Sequence, residues 1–330
     1  MIITRSPLRI TLGGGGTDLP SYYEKHGGFV LSAAIDKYVY VTVNESFRHR
    51  ITLKYSKIED VQTVDEIEHP VIREALKLLN ISGSVDIDSV SDIPAGTGLG
   101  SSGSFTTALL QAMHLFKRET ITKRDLAEEA FHIEHNILKQ HCGRQDQYIA
   151  AIGGLTCFGF SKGIGLSKGI SWWPLAVSRE TLANLEEGLL LFFTGYSRSA
   201  TGILSEQDAR LQQRDKKITF NLDQIKQLGI DTGHALEHSN FDEFADLMRQ
   251  HWKYKRQRSA GTTNDEIDRL YNLGLDNGAL SGKLVGAGGG GFLLFYTEDR
   301  KRLRSAMLAE HLREVRIKFD FEGTSIVAHI

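Results

Sequence analysis

The sequence predicts an α+β fold with two layers in each half of the chain, on three observations. Strand-like runs come first with long helical patterns after them, this succession occurs twice, and a glycine- and serine-rich crossing separates the two rounds. At 330 residues the chain is long enough for two domains that each bury a core.

β-Branched and aromatic residues dominate Leu8 to Leu12, Phe29 to Ile35, Tyr38 to Val43, Arg50 to Tyr55 and Ser84 to Val90. These runs read as strands of a mostly antiparallel sheet. Apolar residues at helical spacing mark Val71 to Leu79, and two longer helical patterns follow Gly100, at Ser102 to Phe116 and Lys123 to Leu138. The segment GGLTCFGF from Gly153 predicts another strand. From Ser161 to Ser178, glycines, serines and a Trp172-Trp173-Pro174 turn form the crossing, and the expected domains are residues 1–187 and 188–330. Beyond it Gly188 to Phe193 predicts a strand, helical patterns fill Ser199 to Leu273, and two strands flank a helix between Leu284 and the end.

A net charge of −2 implies no polyanionic partner, so nucleic acid is not expected. The amino terminus runs straight into glycines, without the basic stretch, apolar core and cleavage site of a secretory leader, and no apolar run reaches membrane-spanning length. Two cysteines, Cys142 and Cys157, are too few for a disulfide framework. A cytoplasmic protein with no membrane partner is the expectation, as a monomer or a homodimer.

Thirty-three glycines against five prolines would be ordinary if scattered, but they gather in a few runs, which suggests close approach of backbone to a ligand. In the run Pro94-Ala-Gly-Thr-Gly-Leu-Gly-Ser-Ser-Gly-Ser104, small residues stand between a strand and a long helix. Glycines let amides turn inward there, and the helix starting at Ser101 or Ser102 offers unpaired N–H groups and a positive dipole end to a polyphosphate. A serine-capped tight turn would look similar. Gly98, Gly100 and Gly103 satisfy GxGxxG, as do Gly286, Gly288 and Gly291, yet the first set follows several antiparallel strands and the second precedes a strand. Both contexts are wrong for a dinucleotide fold, and no GxxxxGK followed by Ser or Thr occurs.

Three segments in order resemble the GHMP kinases: PLRITLGGGGTD near the start, PAGTGLGSSGS in the middle and KLVGAGGGGFLLF near the end. The resemblance implies a ribosomal-protein-like amino-terminal domain, a ferredoxin-like carboxy-terminal domain and an active site between them. It also implies ATP and Mg2+ as cofactors, with Pro94, Gly96, Gly98, Leu99, Gly100, Ser101, Ser102 and Gly103 holding the nucleotide. Ser102 and Glu134 would hold magnesium, Asp146 in GRQDQ would be the base facing the accepting hydroxyl, and Arg9 would sit beside it. These residue types suit phosphoryl transfer, which needs positioning and charge neutralisation more than covalent catalysis. Magnesium wants hard oxygens, and Asp146 must be ionised to take a proton. Without the resemblance, Glu134 is a charge on an acidic helix, Asp146 a turn residue, Arg9 a half-buried strand arginine and Ser102 a helix cap.

By the same resemblance Gly15, Gly16, Thr17, Asp18, Gly288 and Gly289 meet the sugar. In the galactokinase pattern an acidic residue and a histidine precede Thr-Asp, whereas here Gly15 and Gly16 stand in those places, leaving room for a longer sugar. LGGGGTDLPSYYEKHGG, TGYSRSATGIL and HWKYKRQRSAGTTN resemble the branch acting on D-glycero-D-manno-heptose 7-phosphate at its anomeric hydroxyl, which implies a heptose 1,7-bisphosphate product for nucleotide-activated heptose synthesis. Two cationic features could meet the sugar phosphate: Arg198, the preferred contact, and Lys253, Lys255, Arg256 and Arg258, which read first as a solvated helix face. The rival readings are a fucokinase-like or other sugar-1-kinase, a metal hydrolase built on His132, His135, His141 and Cys142, and a ligand-binding homologue without chemistry.

Overall fold

The computed structural model describes residues 1–163, 169–196 and 201–330. The chain opens with β1 (Ile2–Gly13), α1 (Pro20–His26), β2 (Gly28–Glu45), β3 (Ile51–Lys54), β4 (Ile58–Val61), α2 (Pro70–Leu78) and β5 (Val85–Ser91). Then come α3 (Ser101–Phe116), α4 (Lys123–Phe131), a π-helical turn (His132–Ile137), α5 (Gln145–Ile152), β6 (Leu155–Phe160) and β7 (Ile170–Pro174). The second half holds α6 (Arg179–Gly188), β8 (Leu189–Phe193), α7 (Thr201–Gln212), α8 (Lys216–Glu237), α9 (Phe241–Arg256), α10 (Asp265–Asp276) and β9 (Ala279–Leu284). It ends with β10 (Phe292–Thr297), α11 (Arg300–Ala309), β11 (Arg313–Val315) and β12 (Ser325–His329).

The first sheet runs β12-β1-β2-β5-β3-β4, with β6 pairing β2 and β7, and the second runs β11-β8-β10-β9. Pairing is antiparallel except between β3 and β5. The two runs expected at Phe29 and Tyr38 are one strand, because Asp36 and Lys37 form a bulge opposite the Pro7–Leu8 step of β1 rather than a turn. Trp172 and Trp173 lie in β7 and not in a turn; Trp173 packs on Phe29 and Trp172 edge-on against Tyr148. The boundary expected at 187/188 falls at the last residue of α6, directly before β8, but the last strand does not stay in the second half. β12 returns to pair with β1, covering what would otherwise be an open edge of the first sheet.

The two-residue period of the strands distributes the core. Leu189, Leu191, Phe292, Leu294 and Tyr296 join Leu8, Ile10 and Leu12 in one cluster shared by both sheets, while Leu190, Phe192, Leu293 and Phe295 turn to a separate cluster with α10 and α11. The same alternation sets Arg9 and Thr11 of β1 on the face opposite Leu8 and Ile10, toward α5. Sequence parity in one strand thus decides which side chains reach the site.

Candidate active site

A cleft of about 640 Å3 opens between the two halves. Most helices carry a side-chain cap, such as Ser178 on α6 and Asn264 on α10, but α3 starts at Gly100, whose φ of 77° is left-handed, with no side chain closing it. Its first N–H groups are left for an anion. Gly96, Gly98, Gly100, Ser101, Ser102 and Gly103 line the cleft beside that helix start. Pro94 and Leu99 do not. Leu99 is fully buried in the shared core, anchoring the loop, and its carbonyl accepts the Arg9 N–H at 2.9 Å; Pro94 is exposed and its carbonyl accepts the Thr97 hydroxyl.

Arg9 reaches Asp146 with two parallel hydrogen bonds, Nε to Oδ1 at 2.8 Å and Nη2 to Oδ2 at 3.0 Å, while its Nη1 donates to the Gly98 carbonyl at 2.5 Å. This fork fixes the carboxylate relative to the phosphate loop. Gln145 adds a hydrogen bond to Asp146 Oδ1 at 2.9 Å and is itself held by the Thr11 hydroxyl at 2.9 Å. The approach depends on Gly103, since a Cβ there would fall 2.9 Å from the Asp146 Cβ and from the Gln147 backbone nitrogen.

Glu134 lies in the π-helical turn that ends the expected Lys123 to Leu138 helix, a widening common at functional sites. It is 1% exposed, and its carboxylate accepts from Ser102 Oγ at 2.6 Å, from Thr106 Oγ1 at 2.7 Å and from Gln147 Nε2. Burial pushes its carboxyl above the usual range, opposed by those donors and reinforced by the charge of Asp146. A cation would relieve that strain. Two hard oxygens side by side at the mouth of the open helix fit a magnesium ion shared with nucleotide phosphates.

On the amino-terminal segment Gly15, Gly16 and Asp18 line the cleft. Asp18 accepts the N–H groups of Gly16 and Gln145, each at 3.1 Å, and burial followed by the charge of Asp146 pushes its carboxyl up. Thr17, expected to grip the sugar, is fully buried and does not line the cleft. Its hydroxyl braces the turn between the Gly14 and Phe29 carbonyls, both at 2.7 Å, and the Phe29 N–H. Nor is the room at Gly16 vacant: its φ is +94°, and a Cβ there would fall 2.0 Å from the guanidinium of Arg258. Gly288 lines the cleft, but Gly289 is buried behind it and donates to the Thr262 carbonyl. Arg198 lies outside the described residues.

The opposite wall was only partly anticipated: Lys255 and Arg258 stood in the less favoured of the two cationic candidates, and His251 and Lys283 in neither. Lys253 and Arg256 are solvated as expected, yet Lys255 and Arg258 point inward and are 4% and 5% exposed. With His251 and Lys283 they line the cleft. The spacing 251, 255, 258, one helical stripe, was the available signal. The histidines and cysteine of the hydrolase reading scatter instead: His132 meets Asn136, His135 the Gln140 carbonyl and His141 Asp208. Among the described residues no three His, Cys, Asp or Glu side chains converge as metal ligands.

Residues 67–154 match the model of the GHMP kinase N-terminal domain and residues 234–314 that of the C-terminal domain. D-glycero-alpha-D-manno-heptose 7-phosphate kinase of Campylobacter jejuni is 30% identical over 316 residues, 91% of each chain. The L-fucokinase/L-fucose-1-P guanylyltransferase of Bacteroides fragilis is 26% identical across 96% of this chain, which spans 37% of that protein. Among solved structures, a putative sugar kinase from Campylobacter jejuni is 27% identical with a TM-score of 0.75, covering 98% of this chain and 97% of that one. A D-glycero-D-manno-heptose 1-phosphate kinase from Bacteroides thetaiotaomicron, 24% identical, shares the fold over the full length of both chains with a TM-score of 0.81. No described helix is long and apolar enough to cross a membrane. Glycine loops, paired carboxylates and relatives agree: the chain belongs to the GHMP kinases and is an ATP-dependent carbohydrate kinase.

Proposed function

We propose that the chain transfers the γ-phosphoryl group of ATP to the anomeric hydroxyl of D-glycero-D-manno-heptose 7-phosphate, giving the 1,7-bisphosphate and ADP. The observation that carries the chemistry is the Arg9–Asp146 fork tied to Gly98, which holds a carboxylate beside the phosphate loop. Asp146 accepts the hydroxyl proton as the sugar oxygen bonds to the γ-phosphorus and the bond to the ADP oxygen breaks. A loose transition state asks little basicity of it, and the fixed geometry is its main contribution. Arg9 offsets the charge that builds up between carboxylate and sugar. Ser102 and Glu134 would hold Mg2+, which supplies neutralisation of the phosphate charge.

Support for the sugar comes from the heptose 7-phosphate kinase that matches 91% of the chain, and from Gly15, which leaves the cleft open where a side chain would reach the sugar. The fucokinase likeness favours a sugar-1-kinase of unphosphorylated substrates as the second reading. An ADP-release assay with magnesium ATP decides between them, run against heptose 7-phosphate, mannose, fucose, galactose and their phosphates. The heptose phosphate should give the highest kcat/KM, with loss of the reducing end in the product. Better turnover of a free hexose or of fucose would overturn the assignment.

A further inference from the structure

His251, Lys255, Arg258 and Lys283 form a buried basic wall of the cleft that the phosphoryl-transfer step does not use. Their anchors are neutral oxygens: Lys255 Nζ donates to the carbonyls of Leu284 at 2.6 Å and Gly286 at 2.5 Å, Lys283 Nζ to that of Leu12 at 2.6 Å, and Arg258 Nη1 to that of Gly15 at 2.9 Å and to Gln207 Oε1 at 3.3 Å. No ion pair with a carboxylate joins any of them among the described residues; Arg258 feels Asp18 without bonding to it. Both ring nitrogens of His251 are buried and have no partner. Burying a cation without a counterion costs on the order of several kcal/mol, so three on one wall are difficult to explain as packing. Burial, then mutual repulsion, pushes Lys283 down to about 7 and Lys255 well below its usual range. An arriving dianion would reverse that.

We infer that this wall is the subsite for the phosphate monoester carried by the sugar, remote from the hydroxyl that reacts. Two of the three cations rest on the amino-terminal substrate segment, at Leu12 and Gly15, rather than on the loop that faces the nucleotide. Arg258 fills the place a side chain at position 16 would take, so selection for a phosphorylated sugar is built in where a hexose-reading residue is absent. The inference rests on the sugar-phosphate reading above.

The test compares kcat/KM for D-glycero-D-manno-heptose 7-phosphate and for the same heptose without phosphate, in the wild type and in Lys255→Met, Arg258→Gln and Arg258→Lys. The wild type should prefer the phosphorylated sugar strongly. Lys255→Met and Arg258→Gln should each raise KM for it by about ten- to a hundredfold, the value of a hydrogen bond to a charged group, with KM for ATP unchanged and partial rescue in Arg258→Lys. Removing an uncompensated buried charge should leave Tm unchanged or higher, which a merely structural role would not. Equal losses on both sugars, or a raised KM for ATP, would overturn the subsite. So would a preference that persists undiminished in the variants. A wild type that does not discriminate between the two sugars would instead overturn the substrate assignment, and the subsite with it.

Discussion

On the wall built from β1, α3 and α5, charges meet opposite charges or donors: Arg9 forks onto Asp146, and Glu134 sits among Ser102, Thr106 and Gln147. On the wall built from α9 and β9, Lys255 and Lys283 meet backbone carbonyls and the His251 ring nitrogens have no hydrogen-bond partner. The first wall is preorganised without its ligands, so its contribution to rate is geometry fixed during folding. The second holds unneutralised charge, and its electrostatics are completed by what binds. On the proposed function, one cleft separates the work of transfer from the work of selection.

The largest break in that contrast is Asp146→Asn, which keeps the shape of the paired wall but removes the proton acceptor. Turnover should fall about a hundredfold or more while KM for ATP stays near wild type, because the fork does not hold the nucleotide. Unchanged kcat in steady-state assays would remove Asp146 from the chemistry. Glu134→Gln comes next. Three donors already surround that carboxylate, so an amide would leave its NH2 facing some of them and weaken any cation beside it. The magnesium concentration for half-maximal rate should rise about tenfold or more. An unshifted magnesium titration would show that Glu134 is only a hub of the core.

Gly15→Glu carries a carboxylate across to the unpaired wall. A Cβ at Gly15 would meet the Thr11 methyl at 3.3 Å, a neighbour that can yield, and the Arg258 guanidinium already lies against the Gly15 carbonyl. The new carboxylate should pair with Arg258 and compete with the sugar phosphate, raising its KM about tenfold with KM for ATP unchanged. Equal KM for the sugar phosphate would mean that position 15 does not face the bound sugar.

The paired wall was legible in the sequence through the family resemblance, which gave roles to Ser102 at a glycine-rich helix start, Asp146 in GRQDQ and Arg9 in an alternating strand that the residues alone would not carry. What was lost depended on orientation. Thr17 and Asp18 are adjacent, yet one turns into the brace beneath the loop and the other into the cleft, and no local pattern separates them. Lys255 and Lys253 lie on the same helix, and whether a lysine on it is solvated is set by what packs against it. The return of β12 to β1 is a tertiary pairing and the π-helical turn at Glu134 a local widening of the helix, and periodicity registers neither. The fold class came through because it needs only the order and period of elements.

The smallest effect is a pH dependence with two opposite signs. Lys283 is held at about 7 by burial and by Arg258, with Lys255 and the neutral, strongly depressed His251 packed on the same wall and Asp18 facing Arg258. An unfolded lysine keeps its proton to about 10.4, so between pH 7 and 10 the unfolded chain binds more protons than the free folded one, and this group makes stability rise with pH. Binding runs the other way. A phosphate monoester has its second pKa near 6 and is dianionic throughout that range, so the bound complex favours charged lysine and takes up a proton. Raising the pH from 7 to 8 should raise KM for the sugar phosphate about fivefold through Lys283 alone, while KM for the unphosphorylated heptose stays level. Calorimetry in two buffers of different ionisation enthalpy reads the proton uptake directly. Zero uptake at pH 8 would mean that this wall does not gather charge around the ligand, and the contrast between the two walls would lose its functional meaning.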